Sequence, residues 1–189
     1  KYNPEIHFIV GLVDKLDPEI DYSFLAGFEV VLYDHIGFPV FEEMITRYNV
    51  IEFNTAVKPF YFEYIFNRYG VGSAVYYIDP DIEVFSSFSQ MTEFLQTNDF
   101  LLTPHFTTPQ LAISPFETVV LSVGIYNLGF IAIRCSEISM QFLKWWQVRL
   151  KELCYNDKSR GLFVDQVWVN FLPIMFPKVH VIKQPGYNM

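Results

Sequence analysis

The five residues Ala74–Ile78, with the sequence AVYYI, form an apolar and β-prone run between Gly72 and Pro80. A short run that is apolar at every position predicts a strand buried on both faces. Similar runs alternate along the chain with segments whose apolar residues recur every three or four positions, which is typical of helices. This order of strands and helices predicts an α/β fold with a mainly parallel central sheet.

The remaining strand and helix predictions use the same two periodicities. Helical spacing runs from residue 39 to residue 69, and Pro59 marks either a break or a new first turn. Ser114, Pro115 and Glu117 have the spacing of a capping box, so a helix is expected to begin there. The other predicted strands lie at 7–13, 28–33, 100–103 and 126–134, and the other predicted helices at 87–96, 114–121 and 136–153.

Length and composition favour one domain over residues 1–189. Of the 189 residues, 51% are hydrophobic, which is enough for one sizeable core. The 21 acidic and 13 basic side chains give a net charge of -8, so nucleic acid is not an expected partner. No apolar stretch approaches the roughly 18 residues of a membrane span. We therefore expect no transmembrane segment.

The cysteines bear on the compartment. Cys135 and Cys154 are far apart and lack metal-type spacing, which favours free thiols in a reducing environment. The sequence also contains no Asn-x-Ser/Thr acceptor for glycosylation. A cytoplasmic protein is therefore expected, with a peripheral association at the membrane left open.

Two aspartates, Asp79 and Asp81, follow the predicted strand at 74–78. In an extended segment, side chains two residues apart face the same way, and Pro80 biases Asp79 toward that conformation. Two converging carboxylates repel each other unless a cation joins them, and Mg²⁺ or Mn²⁺ suits such hard oxygen ligands. The pair therefore predicts a binding site for a metal ion and a diphosphate. The alternative is that the two carboxylates only cap the next turn.

The stretch "YYIDPDIEVF" that contains these aspartates resembles the Asp-x-Asp strand of GT-A-fold nucleotide-sugar glycosyltransferases. The similar branch is family 8, which includes glycogenin and bacterial galactosyltransferases. Three further stretches resemble the family in the same order along the chain. They are "VKPFYFEYIF" with Lys58, "YNLGFIAIRCSE" with Asn127 and Gly129, and "FVDQVWVN" with Asp165, Gln166 and Asn170.

The resemblance implies a GT-A, Rossmann-like fold and a metal-dependent, retaining hexosyltransferase of carbohydrate biosynthesis, whose donor is a nucleoside diphosphate sugar, with a UDP-sugar favoured. Asp79 would contact the donor and share a Mn²⁺ or Mg²⁺ ion with Asp81. Lys58 would neutralise the diphosphate or touch the donor sugar. Asn127 would line the sugar pocket, and Gly129 would leave room for close backbone approach.

The same resemblance implies that Asp165 and Gln166 lie at the reacting face, as catalytic residues. The acceptor would be a glycan or a lipid-linked molecule. Relative to the family, residues 1–189 would be a fragment that lacks the first strand and the C-terminal elements. Val167 stands where the family often has a second acidic residue, and His180 is expected to be a strand residue instead of the family's third metal ligand.

Two other functions stay open. A nucleotidyltransferase also uses a carboxylate-bound metal at a strand end, although this sequence has no Gly/Arg/Lys-rich loop for a triphosphate. A carbohydrate- or partner-binding module could keep the same fold without turnover. Among other candidate side chains, His105 is expected to be a loop residue satisfied by backbone, and at least one of Trp145 and Trp146 is expected to lie in the core.

Overall fold

The strands and helices of this chain alternate in a mixed α/β fold. We describe a computed structural model over residues 2–109 and 111–187. Its strands are β1 (Ile9–Leu12), β2 (Glu29–Leu32), β3 (Ala74–Ile78), β4 (Phe100–Pro104), β5 (Tyr126–Arg134), β6 (Asn156–Asp157), β7 (Leu162–Phe163) and β8 (Val179–Val181). Its helices are α1 (Phe41–Arg47), α2 (Val50–Ala56), α3 (Lys58–Tyr69), α4 (Ser89–Thr97), α5 (Pro115–Val123), α6 (Glu137–Leu153), α7 (Gln166–Val169) and α8 (Leu172–Met175).

The largest sheet is mixed, so the expectation of a mainly parallel central sheet is wrong. Its strand order is β3-β5-β4-β8, with β5 antiparallel to both β3 and β4, and β8 parallel to β4. The reason lies in the connection from β4 to β5. A parallel neighbour requires a crossover that returns to the opposite edge of the sheet. Here β5 instead pairs Tyr126 with Pro104, the last residue of β4, so the chain re-enters the sheet where β4 ends.

The two remaining sheets have two strands each. β1 and β2 pair in parallel, and the short strands β6 and β7 pair antiparallel. Tyr61 of α3 holds the first pair by donating its hydroxyl toward Leu12 O and Val31 O, at 3.3 and 3.0 Å. Helix α3 therefore packs on the β1–β2 pair as well as on α6.

β3 is less buried than its sequence predicts. Within residues 2–109 and 111–187 it pairs only with β5, and each of its five residues keeps some exposure to solvent. By contrast, all five residues of β4 are buried, because β4 has β5 on one side and β8 on the other. The expectation that β3 is buried on both faces is therefore wrong.

Several local predictions are confirmed. Ser114 and Glu117 form the expected capping box at α5, and Ser136 caps α6. Pro59 lies in the first turn of α3, where its missing N–H has no intrahelical role. Trp146 is fully buried in the hydrophobic core, as expected for at least one of the two tryptophans. Cys135 and Cys154 are free and buried.

The direction of the strands gathers several loops at one edge. β3, β4 and β8 run the same way, so their carboxyl ends lie at the edge where β5 begins. In open α/β sheets this is the edge at which ligands bind.

Candidate functional site at the carboxyl edge of the sheet

Lys58, the first residue of α3, contacts groups from three other segments of the chain. Its ammonium nitrogen lies 2.9 Å from Asp165 Oδ2 and 3.9 Å from Asp79 Oδ1. It also donates a hydrogen bond to the carbonyl oxygen of Leu128 at 3.1 Å. The contact with Asp165 is a buried ion pair. The Lys58 side chain is only 5% exposed, so one buried cation serves two carboxylates.

Tyr77 completes this cluster, and the sequence did not single it out. The Lys58 ammonium lies 4.4 Å from the centre of the Tyr77 ring, which is a cation–π contact. The Tyr77 hydroxyl donates to Asp79 Oδ1 at 2.6 Å. Burial, followed by the bond to Asp79, raises the pKa of Tyr77 above its ordinary value. The tyrosine therefore remains a neutral donor that orients Asp79.

Asp165 is the deepest member of the cluster, with a side chain that is 2% exposed. Burial raises its pKa above the ordinary value, while the Lys58 charge acts in the opposite direction. Val164, the residue before it, has φ +39, which is unusual for a β-branched residue and costs about 1–3 kcal/mol. The local backbone is thus held in a strained conformation directly before the carboxylate.

Asp79 and Asp81 lie in a turn. β3 ends at Ile78, and the amide of Ile82 donates to the carbonyl oxygen of Asp79 at 3.1 Å. The expectation that the two aspartates continue an extended strand is therefore wrong, and the turn sets the directions of their carboxylates. The Asp79 side chain is 37% exposed and Asp81 is exposed, so both are accessible to a ligand.

Asp79 and Asp81 are the candidate metal ligands at this edge of the sheet. Within the described ranges, no group of three His, Cys, Asp or Glu side chains is arranged to hold a metal ion. Mg²⁺ is commonly held by one or two carboxylates, with substrate phosphates and water completing its shell. Asp79 and Asp81 supply donors of that kind, and His180 does not join them. Its ring stacks on Phe94 at 4.1 Å within β8, as a strand residue.

Gln166 ties three backbone segments together next to the cluster. Its Oε1 accepts from the amide of Leu128 at 3.0 Å, and its Nε2 donates to Val123 O at 3.0 Å. These two backbone partners fix the orientation of the amide. The same Nε2 lies 3.2 Å from His105 Nε2, so the histidine accepts there through a neutral ring. Gln166 is 8% exposed, and these contacts give it a positioning role.

Gly124 permits this tie. Its φ of +121 favours glycine, and a Cβ at this position would lie 3.1 Å from Gln166 Cγ and 3.3 Å from the Gln166 backbone. His105 is a loop residue, as expected, and its main-chain amide donates to Ile125 O at 3.0 Å. Its ring is paired with the Gln166 side chain instead of with backbone, so that part of the expectation is wrong. Its contact with Gln166 was not foreseen, since no local pattern links positions so distant in sequence.

Asn127 and Gly129 lie at the start of β5, beside the cluster. The Asn127 side-chain oxygen accepts from the amide of Gly129 at 3.1 Å, and Gly129 O accepts from the amide of Asp79 at 2.8 Å. Of the seven predicted site residues, Lys58 contacts both Asp79 and Asp165 directly. Asn127, Gly129 and Gln166 are connected to them through backbone groups, and Asp81 lies in the adjoining turn.

None of the helices in the described parts of the chain has the length and apolar character needed to cross a membrane.

Comparison with known proteins gives two relatives, both from Bacillus subtilis (strain 168). The uncharacterized protein YfnF is 28% identical over 145 residues, which cover 73% of this chain and 46% of YfnF. The uncharacterized protein YfnD is 24% identical over 139 residues, which cover 72% of this chain and 43% of YfnD. No protein-family description matches the chain, and no solved structure matches it. The chain thus spans less than half the length of the curated relatives it matches.

Proposed function

We propose that the chain is a metal-dependent glycosyltransferase domain that moves a hexose from a nucleoside diphosphate sugar, with retention of configuration. The observation that carries this proposal is the buried Lys58 ammonium between Asp79 and Asp165 at the carboxyl edge of the sheet. These three residues come from three of the four stretches that resemble family 8 glycosyltransferases. Their contact in space is independent of the similarity of each stretch.

The proposed fold is the GT-A variant of the α/β class. Support comes from the edge at which the site lies, since β3 and β4 end there and β5 begins there. The four stretches contribute Lys58 at the start of α3, the turn after β3, the first residues of β5 and the residues at the start of α7.

The electrostatics explain why a donor diphosphate would require a metal. Lys58 supplies one positive charge against the carboxylates of Asp79, Asp81 and Asp165, so the uncompensated site repels an anionic donor. We assign Asp79 and Asp81 as the metal ligands, with Mn²⁺ or Mg²⁺ as the ion. When bound, that ion would offset the negative charge that develops on the departing diphosphate.

The other residues act around the donor. Lys58 neutralises charge on the donor side, and Tyr77 holds the Asp79 carboxylate through its hydroxyl. Asn127 and Gly129 line the space for the donor sugar. Asp165 lies on the buried side of Lys58 and keeps its ammonium charged and in place. Gln166 fixes the start of β5 by accepting a hydrogen bond from the Leu128 amide. A UDP-sugar is the favoured donor, and a glycan or a lipid-linked molecule is the acceptor class.

Calorimetric titration of UDP and GDP, with and without Mn²⁺, tests the proposal. Metal-dependent binding of one nucleotide is expected, and Asp81→Asn should abolish it because one of two carboxylate ligands is lost. Glu83→Gln is the matched control, since it removes a negative charge from an exposed residue two positions away. Equal binding by Asp81→Asn and the parent protein would remove the metal assignment. Failure of both nucleotides to bind would reject the transferase.

A further inference from the structure

A cavity of about 480 Å³ opens beside the candidate site. It lies where β4 and β8 end and β5 begins, and its walls include Phe106, Ile125, Tyr126 and Lys183. Thr107 and Thr108 add two hydroxyl groups. The volume falls within the range of about 300–1,000 Å³ that is typical of small-molecule sites. None of these residues belongs to the Lys58 cluster.

The cavity is close enough to the cluster to hold a second substrate. Tyr126 lies in its wall, and Leu128, two residues further along β5, accepts the hydrogen bond from Lys58. At a rise of about 3.4 Å per residue, the two positions are separated by about 7 Å along the strand. A ligand in the cavity would therefore lie next to a sugar held at Asn127 and Gly129.

The walls combine three kinds of group. Phe106 and Tyr126 provide aromatic rings, and such rings pack against the apolar faces of sugar rings. The two threonines can donate to or accept from ring hydroxyls. Lys183 is exposed and is the one charged side chain among the described residues that line the cavity. In a chain with a net charge of -8, a lone ammonium here favours a ligand that carries a negative charge.

We propose that this cavity binds the acceptor, and that the acceptor unit is a sugar ring bearing a carboxylate. The ring packs on Phe106 and Tyr126, and the carboxylate contacts Lys183. The identification of the ligand as an acceptor rests on the proposed transferase function, whereas the binding of an acidic sugar does not. The two proposals can therefore fail separately.

Saturation-transfer NMR with sodium D-glucuronate as probe and D-glucose as its neutral counterpart tests the inference. Glucuronate is expected to bind more tightly than glucose. Lys183→Gln should weaken glucuronate by about two- to fivefold, the range for an exposed ion pair, and leave glucose unchanged. Lys178→Gln is the matched control, because it removes the same charge from an exposed lysine at the other end of β8.

A second pair of variants tests the aromatic wall. Phe106→Ala should weaken both sugars, while Phe24→Ala, at a phenylalanine that is 69% exposed and does not line the cavity, should weaken neither. Absence of binding by both sugars to the parent protein would overturn the inference. Equal binding of the two sugars, with no effect of Lys183→Gln, would overturn the preference for an acidic acceptor.

The nucleotide titration separates this inference from the proposed function. Metal-dependent UDP binding without any sugar binding rejects the cavity as the acceptor site and leaves the transferase intact. Glucuronate binding that depends on Lys183, in a protein that binds neither nucleotide, keeps the sugar site and rejects its role as an acceptor site.

Discussion

Lys58 Nζ lies 2.9 Å from Asp165 Oδ2, and the two side chains are 5% and 2% exposed. A charge buried alone in a protein is costly, so each of these groups depends on the other. Asp79 shares the cation at 3.9 Å but keeps 37% of its side chain in solvent. The cluster thus has a buried half, formed by Lys58 and Asp165, and a solvent-accessible half, formed by Asp79.

Lys58→Met is expected to destabilise the protein by about 3–5 kcal/mol, because it leaves the Asp165 carboxylate buried without its partner. Urea unfolding measures the loss. Lys151→Met is the control, since its pairs with Glu43 and Glu152 are exposed and should contribute less than about 1 kcal/mol. Equal losses of unfolding free energy in the two variants would show that the buried Lys58–Asp165 pair contributes no more to stability than an exposed pair does.

Under the proposed function, Asp165→Asn is expected to lower turnover by about 10²-fold or more and to weaken donor binding at the same time. The reason is that Asp165 sets the charge and position of Lys58 without reaching the solvent itself. The measurement is Mn²⁺-dependent release of UDP from UDP-sugars, paired with titration of UDP. Glu93→Gln on α4 is exposed and should change neither quantity. Unchanged turnover in folded Asp165→Asn would exclude this role.

The strands β3 and β5 show which features of the fold the periodicity of the sequence can predict. The expected strand at 74–78 agrees with β3 residue for residue, because Gly72 and Pro80 bound a run of strongly β-prone side chains. The direction of β5 could not be predicted in the same way, since alternation marks a strand without giving its direction. That direction depends on the path from β4 through α5, which becomes visible only in three dimensions.

The site was predictable to a similar extent. Asp79 could be singled out because a carboxylate at the end of an apolar strand is conspicuous, whereas Lys58 was indicated only by the resemblance of its stretch to family 8 glycosyltransferases. Tyr77 could not, since a tyrosine inside an apolar strand has the pattern of a core residue. The Gln166–His105 contact joins segments that are distant in sequence, and no local spacing encodes it.

Truncation of Ile131 or Ile133 to Ala is expected to cost about 2–5 kcal/mol each. Both side chains are fully buried in β5, which has paired strands on both sides. Ile174→Ala is the comparison, because that isoleucine is 82% exposed and should cost less than about 0.5 kcal/mol. Denaturant unfolding of the three variants tests the central position of β5. If neither Ile131→Ala nor Ile133→Ala lowered the free energy of unfolding, that position would be contradicted.

Gly124→Ala should destabilise the protein by about 1 kcal/mol or more beyond Gly27→Ala. Both glycines have positive φ, so each variant introduces backbone strain. Only at Gly124 would the new methyl group meet Gln166, whereas nothing lies within 4 Å at Gly27. The comparison of unfolding free energies therefore isolates the contact with Gln166, and equal losses would mean that Gln166 adjusts without cost.

The stability of the protein should fall as the pH drops below about 6.5, the ordinary pKa of histidine, and His105 should account for part of that fall. Burial lowers the pKa of His105, so the unfolded chain takes up a proton at a higher pH than the folded protein does. The stabilisation is therefore complete above pH 6.5 and is lost as the pH falls toward the lowered value. A protonated ring also cannot accept the hydrogen bond from Gln166 Nε2.

Unfolding free energies between pH 5 and 8 should show a shallower slope for His105→Gln, while His35→Gln, at an exposed ring, should keep the parent slope. Identical slopes for His105→Gln and the parent protein would show that His105 contributes nothing to the pH dependence of stability.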